Sequence, residues 1–193
     1  TLISNVSLKC QLEIVSGKSY VPLTALAYFN NGLSVSGVSL VNNQVTFKSS
    51  KPSVAKVKNN ILYAKDNGSY SLTVSLNSNP ALSSTESYVM SGIKKPKANI
   101  TSVKSKKKKQ ITVSWKNNIK NVTGYEIQYS TSKKFTKKTT KTVTAKGKKV
   151  KSKKISKLKS KKTYYVRIRA YKNQSQGEKF YGKYSKTLKI KVK

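Results

Sequence analysis

The chain has 193 residues, with 41 Lys and Arg against 5 Asp and Glu, and a formal net charge of +36. It holds no His, one Cys, one Met and one Trp, so the usual general base and the commonest neutral metal ligand are missing. With 36% hydrophobic residues and 12 Tyr it can nevertheless bury a core, and its length suits two domains of about 100 residues each.

Charge divides the chain unevenly. Residues 1–95 carry nine lysines against three acids, a net +6, whereas residues 96–193 carry 32 basic residues against two acids, a net +30. The run Ser91-Gly-Ile-Lys-Lys-Pro96 breaks any regular pattern between them, which places domains at 1–94 and 95–193. No window approaches the roughly 18 consecutive apolar residues of a membrane-spanning helix, so no transmembrane segment is expected. Thr1 follows no basic and apolar leader, and the start is expected to be an internal boundary.

In the first half, Val45, Phe47, Val54, Val57, Ile61, Leu62, Tyr70, Leu72, Val74 and Leu76 fall in short runs. They are punctuated by Lys51-Pro52, Asn59-Asn60 and Asp66-Asn67-Gly68, where Asn and Gly tolerate positive φ and Pro fixes it near −65°. A strand over about Thr85–Met90 is expected to close the domain. In the second half, Ile111, Val113 and Trp115 alternate with polar residues, as do Tyr125, Ile127 and Tyr129. Tyr164, Val166, Ile168 and Ala170, then Leu188, Ile190 and Val192, repeat the period of two. Each such strand buries one face, and the series predicts an all-β chain of two tandem immunoglobulin-like β-sandwiches.

From Pro96 onward, Ile111-Thr-Val-Ser-Trp115, Gly124-Tyr-Glu-Ile-Gln-Tyr-Ser130, Phe135, Leu158, Thr163-Tyr-Tyr-Val-Arg-Ile-Arg-Ala-Tyr171 and Tyr181-Gly-Lys-Tyr-Ser185 resemble a fibronectin type III domain of secreted bacterial proteins. The resemblance implies that Leu158 and Tyr164 build a tyrosine corner and that Trp115 is the large core residue of the second strand. In the first half, Ser16-Gly-Lys-Ser19, the run from Val45 to Val57, Asn60-Ile-Leu-Tyr-Ala64 and Gly68-Ser-Tyr-Ser-Leu-Thr-Val74 resemble a bacterial immunoglobulin-like domain of group 2. Phe47 stands where Trp is more usual in that family. Both resemblances imply a non-catalytic part of a secreted or cell-surface bacterial protein, acting as spacer or adhesion segment. An accessory region of a larger secreted glycoside or other hydrolase and a host-protein-binding adhesin segment are the rival readings.

Candidate binding residues are few. Lys106, Lys107, Lys108 and Lys109, with Lys148, Lys149, Lys151, Lys153 and Lys154, are expected to sit in water on outward sites. Such lysines can simply blunt sheet edges. A net +30 on one small domain, however, far exceeds the charge of roughly 2 to 8 that solubility requires. An anionic cell-wall polymer or acidic glycan is therefore the expected partner. With 39 Lys to 2 Arg, bidentate or base-specific recognition of nucleic acid is disfavoured. Tyr165, Arg167, Arg169 and Tyr171 are expected to share an outward face beside Glu126 and Gln128, where a carbohydrate or peptide could stack. Pairing of Glu126 with Arg167 or Arg169, about 0.2 to 1 kcal/mol, is the simpler account of that face.

No carboxylate pair or acid cluster marks a catalytic or metal site, and no cofactor is expected. Asp66 reads as a turn residue bonding the backbone two residues on. Cys10 reads as a small buried hydrophobe, and the fragment as a monomer. The Asn-X-Ser/Thr sequences at Asn5, Asn67, Asn99, Asn121 and Asn173 matter only in a eukaryotic source.

Overall fold

The computed structural model describes residues 5–7, 20–30, 35–41, 43–117 and 122–193; Cys10, Glu13, residues 16–19 and Asn121 lie outside these. The chain divides into two compact units, Thr1–Ile93 and Lys94–Lys193. Among the described residues both are built of antiparallel strands, with one short 3-10 turn at Ser175–Gly177.

In the first unit the strands are β1 (Asn5–Ser7), β2 (Tyr20–Pro22), β3 (Ala25–Asn30), β4 (Val35–Leu40), β5 (Val45–Ser49), β6 (Ala55–Lys58), β7 (Ile61–Ala64), β8 (Gly68–Leu76) and β9 (Ser83–Met90). They form three sheets ordered β1-β3-β4, β2-β7-β6 and β5-β8-β9 around one core. Alternation selects that core. Val45 and Phe47 on β5 and Tyr70, Leu72, Val74 and Leu76 on β8 are buried, while Thr46 and Lys48 between them are exposed.

Turn chemistry fixes the registers. Asn59 and Asn60 both hold positive φ (49° and 54°) between the paired ends Lys58 and Ile61. This is the two-residue loop whose twist matches that of the flanking strands. Asp66 acts in this turn as well, its carboxylate accepting the N–H of the next residue, Asn67, at 3.0 Å. Asn67 uses its own amide elsewhere. Its Oδ1 accepts the Ile93 N–H at 2.8 Å and its Nδ2 donates to the Ile93 carbonyl at 3.3 Å, tying down the last residue of the unit.

The second unit comprises β10 (Ala98–Lys104), β11 (Ile111–Asn117), β12 (Gly124–Ser130), β13 (Thr140–Lys146), β14 (Ser152–Ile155), β15 (Thr163–Asn173), β16 (Lys179–Tyr181) and β17 (Leu188–Lys191). One sheet runs β10-β11-β14; the other runs β13-β12-β15-β16, with β17 also pairing β15. Ile111, Val113 and Trp115 from the first sheet meet Tyr125, Ile127, Val166 and Ile168 from the second, all at most 2% exposed. The Trp115 and Tyr125 rings pack 5.1 Å apart. Leu158 is buried, and the Tyr164 phenol oxygen accepts the Lys159 N–H at 3.2 Å, pinning the connection between β14 and β15.

Candidate functional site

The outward face of β12 and β15 is where an exposed ligand surface was expected. Gln128 lies opposite Arg167, Glu126 opposite Arg169, and Gly124 opposite Tyr171. Arg167 donates from Nε and Nη2 to Gln128 Oε1, at 2.9 and 2.7 Å. Arg169 approaches Glu126 Oε1 through Nε at 2.8 Å and Nη2 at 2.6 Å, and Tyr184 Oη donates to the same oxygen at 2.9 Å.

Aromatic rings then cover both guanidinium groups. Arg167 lies 4.0 Å from the centroids of both Phe135 and Tyr184. Arg169 lies 3.7 Å from that of Tyr181 and 4.6 Å from that of Tyr184. The sequence Phe135, Arg167, Tyr184, Arg169, Tyr181 is thus a continuous stack, each contact of the kind that contributes about 0.5 to 2 kcal/mol depending on desolvation. Its planar cations and rings recognise one another and fasten the segment after β16 onto the sheet.

One residue of the four-residue candidate face departs from its expected outward placement. Tyr171 is only 3% exposed, because its ring lies against Tyr181 at 5.9 Å and its hydroxyl fills the space beside Gly124. Arg167 and Arg169 are committed to Gln128, Glu126 and the rings. Tyr165 is half-buried beside Ser130 and Lys189. Phe135, Tyr181 and Tyr184 were absent from the candidate residues, although the Tyr181-Gly-Lys-Tyr184 spacing was a visible signal.

The phenols of this face are hard to ionise. Burial, then the neighbouring Glu126 carboxylate, pushes Tyr171 and Tyr181 above the ordinary tyrosine range. Burial and the hydrogen bond to Glu126 push Tyr184 further. Because the folded state keeps these protons when the unfolded chain begins to lose them near pH 10, stability is intact below about pH 10 and falls as pH rises beyond it. Urea midpoints measured from pH 8 to 11 should fall less steeply in Tyr184→Phe than in the parent. Any contribution from lysines is common to both proteins and cancels in that comparison.

The nine candidate lysines are all exposed, but the fold does not gather them. Lys106–Lys109 lie in the β10–β11 connection, near the end of β11 where Thr112 pairs with Lys104 and Lys154. Lys148, Lys149 and Lys151 lie toward the other end of β11, where Trp115 N–H donates to the Lys151 carbonyl at 2.9 Å. Lys153 departs from the expected outward placement. It pairs with Val113 and so occupies core register, yet stays in water because β14 ends its sheet. A shallow depression of about 260 Å³ on this sheet takes in only Lys106 of the nine, with Lys104 and the hydroxyls of Ser102, Thr112 and Ser114.

A larger cleft, about 510 Å³, opens between the β12–β13 connection and the segment joining β14 to β15. Tyr129, Leu158 and Tyr164 line it together with Lys138, Lys141, Lys157, Lys159 and Lys162. The Tyr129 hydroxyl is held above the ordinary range by burial and then by Tyr164. Among the described residues no helix is long and apolar enough to cross a membrane.

Across residues 94–183 the sequence matches the family described as fibronectin type III domain. The second unit carries a fibronectin type III domain. Such domains are generally non-catalytic extracellular spacer or binding modules, and the lysines and the cleft belong to this one. No curated protein matches the chain. Among solved structures, it is similar to a myokine structure, with 22% identity and a TM-score of 0.38, covering 51% of this chain and 95% of that one. The fibronectin type III domain of human collagen alpha-1(XX) shows 17% identity and a TM-score of 0.40, covering 53% and 89%. The FN1–FN3 domains of chicken CNTN1 show 19% identity and a TM-score of 0.43, covering 92% of this chain and 55% of that one.

Proposed function

We propose that the chain is a non-catalytic spacer and adhesion segment of a secreted or cell-surface bacterial protein. Its fibronectin type III domain attracts an anionic cell-envelope polymer or acidic glycan. The observation that carries this reading is the net +30 of residues 96–193, with the candidate lysines exposed and Glu126 already engaged by Arg169 and Tyr184. Such a field concentrates polyanions at the surface without needing a shaped pocket. In this reading the first unit is a bacterial immunoglobulin-like domain of group 2. It is supported by the run Ser49-Ser-Lys-Pro-Ser-Val-Ala55 between β5 and β6 and by the Asn59-Asn60 turn.

The test is salt. Exposed charges interact across about 30 Å at 0.01 M salt but only about 8 Å at physiological strength. Retention of the 193-residue chain on immobilised teichoic acid or sulfated glycan should therefore collapse between those conditions. Retention that does not change with salt rejects the charge mechanism.

A further inference from the structure

We propose that the cleft between the β12–β13 connection and the β14–β15 segment is a discrete subsite for one or two sugar rings bearing carboxylate or sulfate groups. This inference rests on the reading that the domain attracts polyanions, and gives that attraction a location which the nine lysines singled out from sequence do not.

The first observation is a break in the core pattern. On β13 the inward register runs Ala145, Val143, Lys141, from buried through half-buried to exposed, and Lys141 stands directly opposite Tyr129. An apolar residue at that position would seal the sandwich. At this edge of the sheet the exposed Lys141 instead lines the cleft together with Tyr129 and Tyr164, whose rings lie 6.3 Å apart.

The second observation is charge without an internal counter-ion. Lys138, Lys141, Lys157, Lys159 and Lys162 line the cleft and no acid does. Glu126 faces the opposite side of β12 from Tyr129, and Glu178 lies past the far end of β15, of which Tyr164 is the second residue. Lys157 is held at φ 61°, a conformation that Gly or Asn adopts more readily.

The composition of the cleft selects the ligand class. Point charges on flexible stems suit carboxylate or sulfate groups whose spacing varies. The hydroxyls of Thr131 and Ser156 suit sugar hydroxyls, and the narrow apolar strip left by Tyr129, Leu158 and Tyr164, 5 to 8% exposed, suits the C–H edge of a pyranose ring. A linear polyphosphate would use the charges alone and leave that strip empty.

The experiment compares two triple variants of the full chain at physiological salt, with a sulfated glycosaminoglycan tetrasaccharide as probe and affinity read by titration calorimetry. One is Lys138→Gln, Lys157→Asn and Lys162→Gln; the other is Lys106→Gln, Lys107→Gln and Lys108→Gln, which removes the same charge elsewhere. All six side chains are exposed, and Asn tolerates the conformation of Lys157, so both variants should melt with the parent. The cleft variant should bind about tenfold or more weakly, and the other within about threefold of the parent. Equal losses in both overturn the cleft and leave diffuse attraction standing. Inorganic tripolyphosphate binding as tightly as the tetrasaccharide, with the same sensitivity to the cleft variant, overturns the assignment to a sugar ring. A parent that binds no tetrasaccharide even at 0.01 M salt overturns the polyanion reading itself, and the subsite with it.

Discussion

Trp115→Ala should destabilise the fibronectin type III domain by about 3 to 5 kcal/mol, the range for emptying a large aromatic site in a well-packed core. The side chain is 2% exposed, stands opposite Ile100 on β10, and packs on the Tyr125 ring at 5.1 Å, so truncation leaves a void between the two sheets. A domain of this size has only about 5 to 15 kcal/mol to lose, which makes the change a large part of the whole. The indole also carries a cost of its own, because its buried Nε1–H has no hydrogen-bond partner among the described residues. Trp115→Phe, which removes that donor while keeping a ring, should therefore cost distinctly less than the alanine variant. Thermal unfolding followed by circular dichroism in both variants decides the matter. A Trp115→Ala protein that melts with the parent would refute the placement of this residue in the core.

The period of two reports which face a side chain takes, and that much was legible. Tyr164, Val166, Ile168 and Ala170 are buried along β15, as are Tyr125, Ile127 and Tyr129 along β12. What the period does not report is what lies over a face. Tyr171 follows the outward series of Tyr165, Arg167 and Arg169, yet Tyr181 covers it from a strand whose position depends on pairing ten residues away. The stack over Arg167 and Arg169 likewise draws on Phe135, Tyr181 and Tyr184, which only the tertiary fold brings together. Sheet ends defeated the pattern in the opposite sense. Lys141 and Lys153 occupy core registers on β13 and β14, but each strand ends its sheet, so depth fails where register succeeds. Before Val45 the sequence offered few alternating apolar residues, and β2, β3 and β4 are held by pairing with neighbours that pattern alone does not identify.

Gly182→Ala should be the most damaging of the glycine-to-alanine changes described for the domain. A Cβ at this position would stand 1.7 Å from the Pro96 carbonyl oxygen and 2.9 Å from its carbonyl carbon. Both are backbone atoms, so no rotamer change can clear the contact. Retreat is blocked from the other side by the Gly182 N–H, which donates to the Ala170 carbonyl at 2.9 Å. Either the Pro96 segment moves off the sheet or that hydrogen bond breaks. Breaking it would loosen Tyr181 and Tyr184 on either side of the glycine, and with them the rings that hold Arg167 and Arg169. Overpacking of this kind costs about 1 to 3 kcal/mol and sometimes more, and a backbone clash this short places Gly182→Ala at or above the upper end. Gly177 provides the control, since its φ of 73° makes alanine unfavourable but no atom lies within 4 Å of the added carbon. Gly177→Ala should cost about 1 kcal/mol, the conformational term alone. Denaturant midpoints that rank the two variants in the reverse order would show that the Pro96 segment does not lie against Gly182.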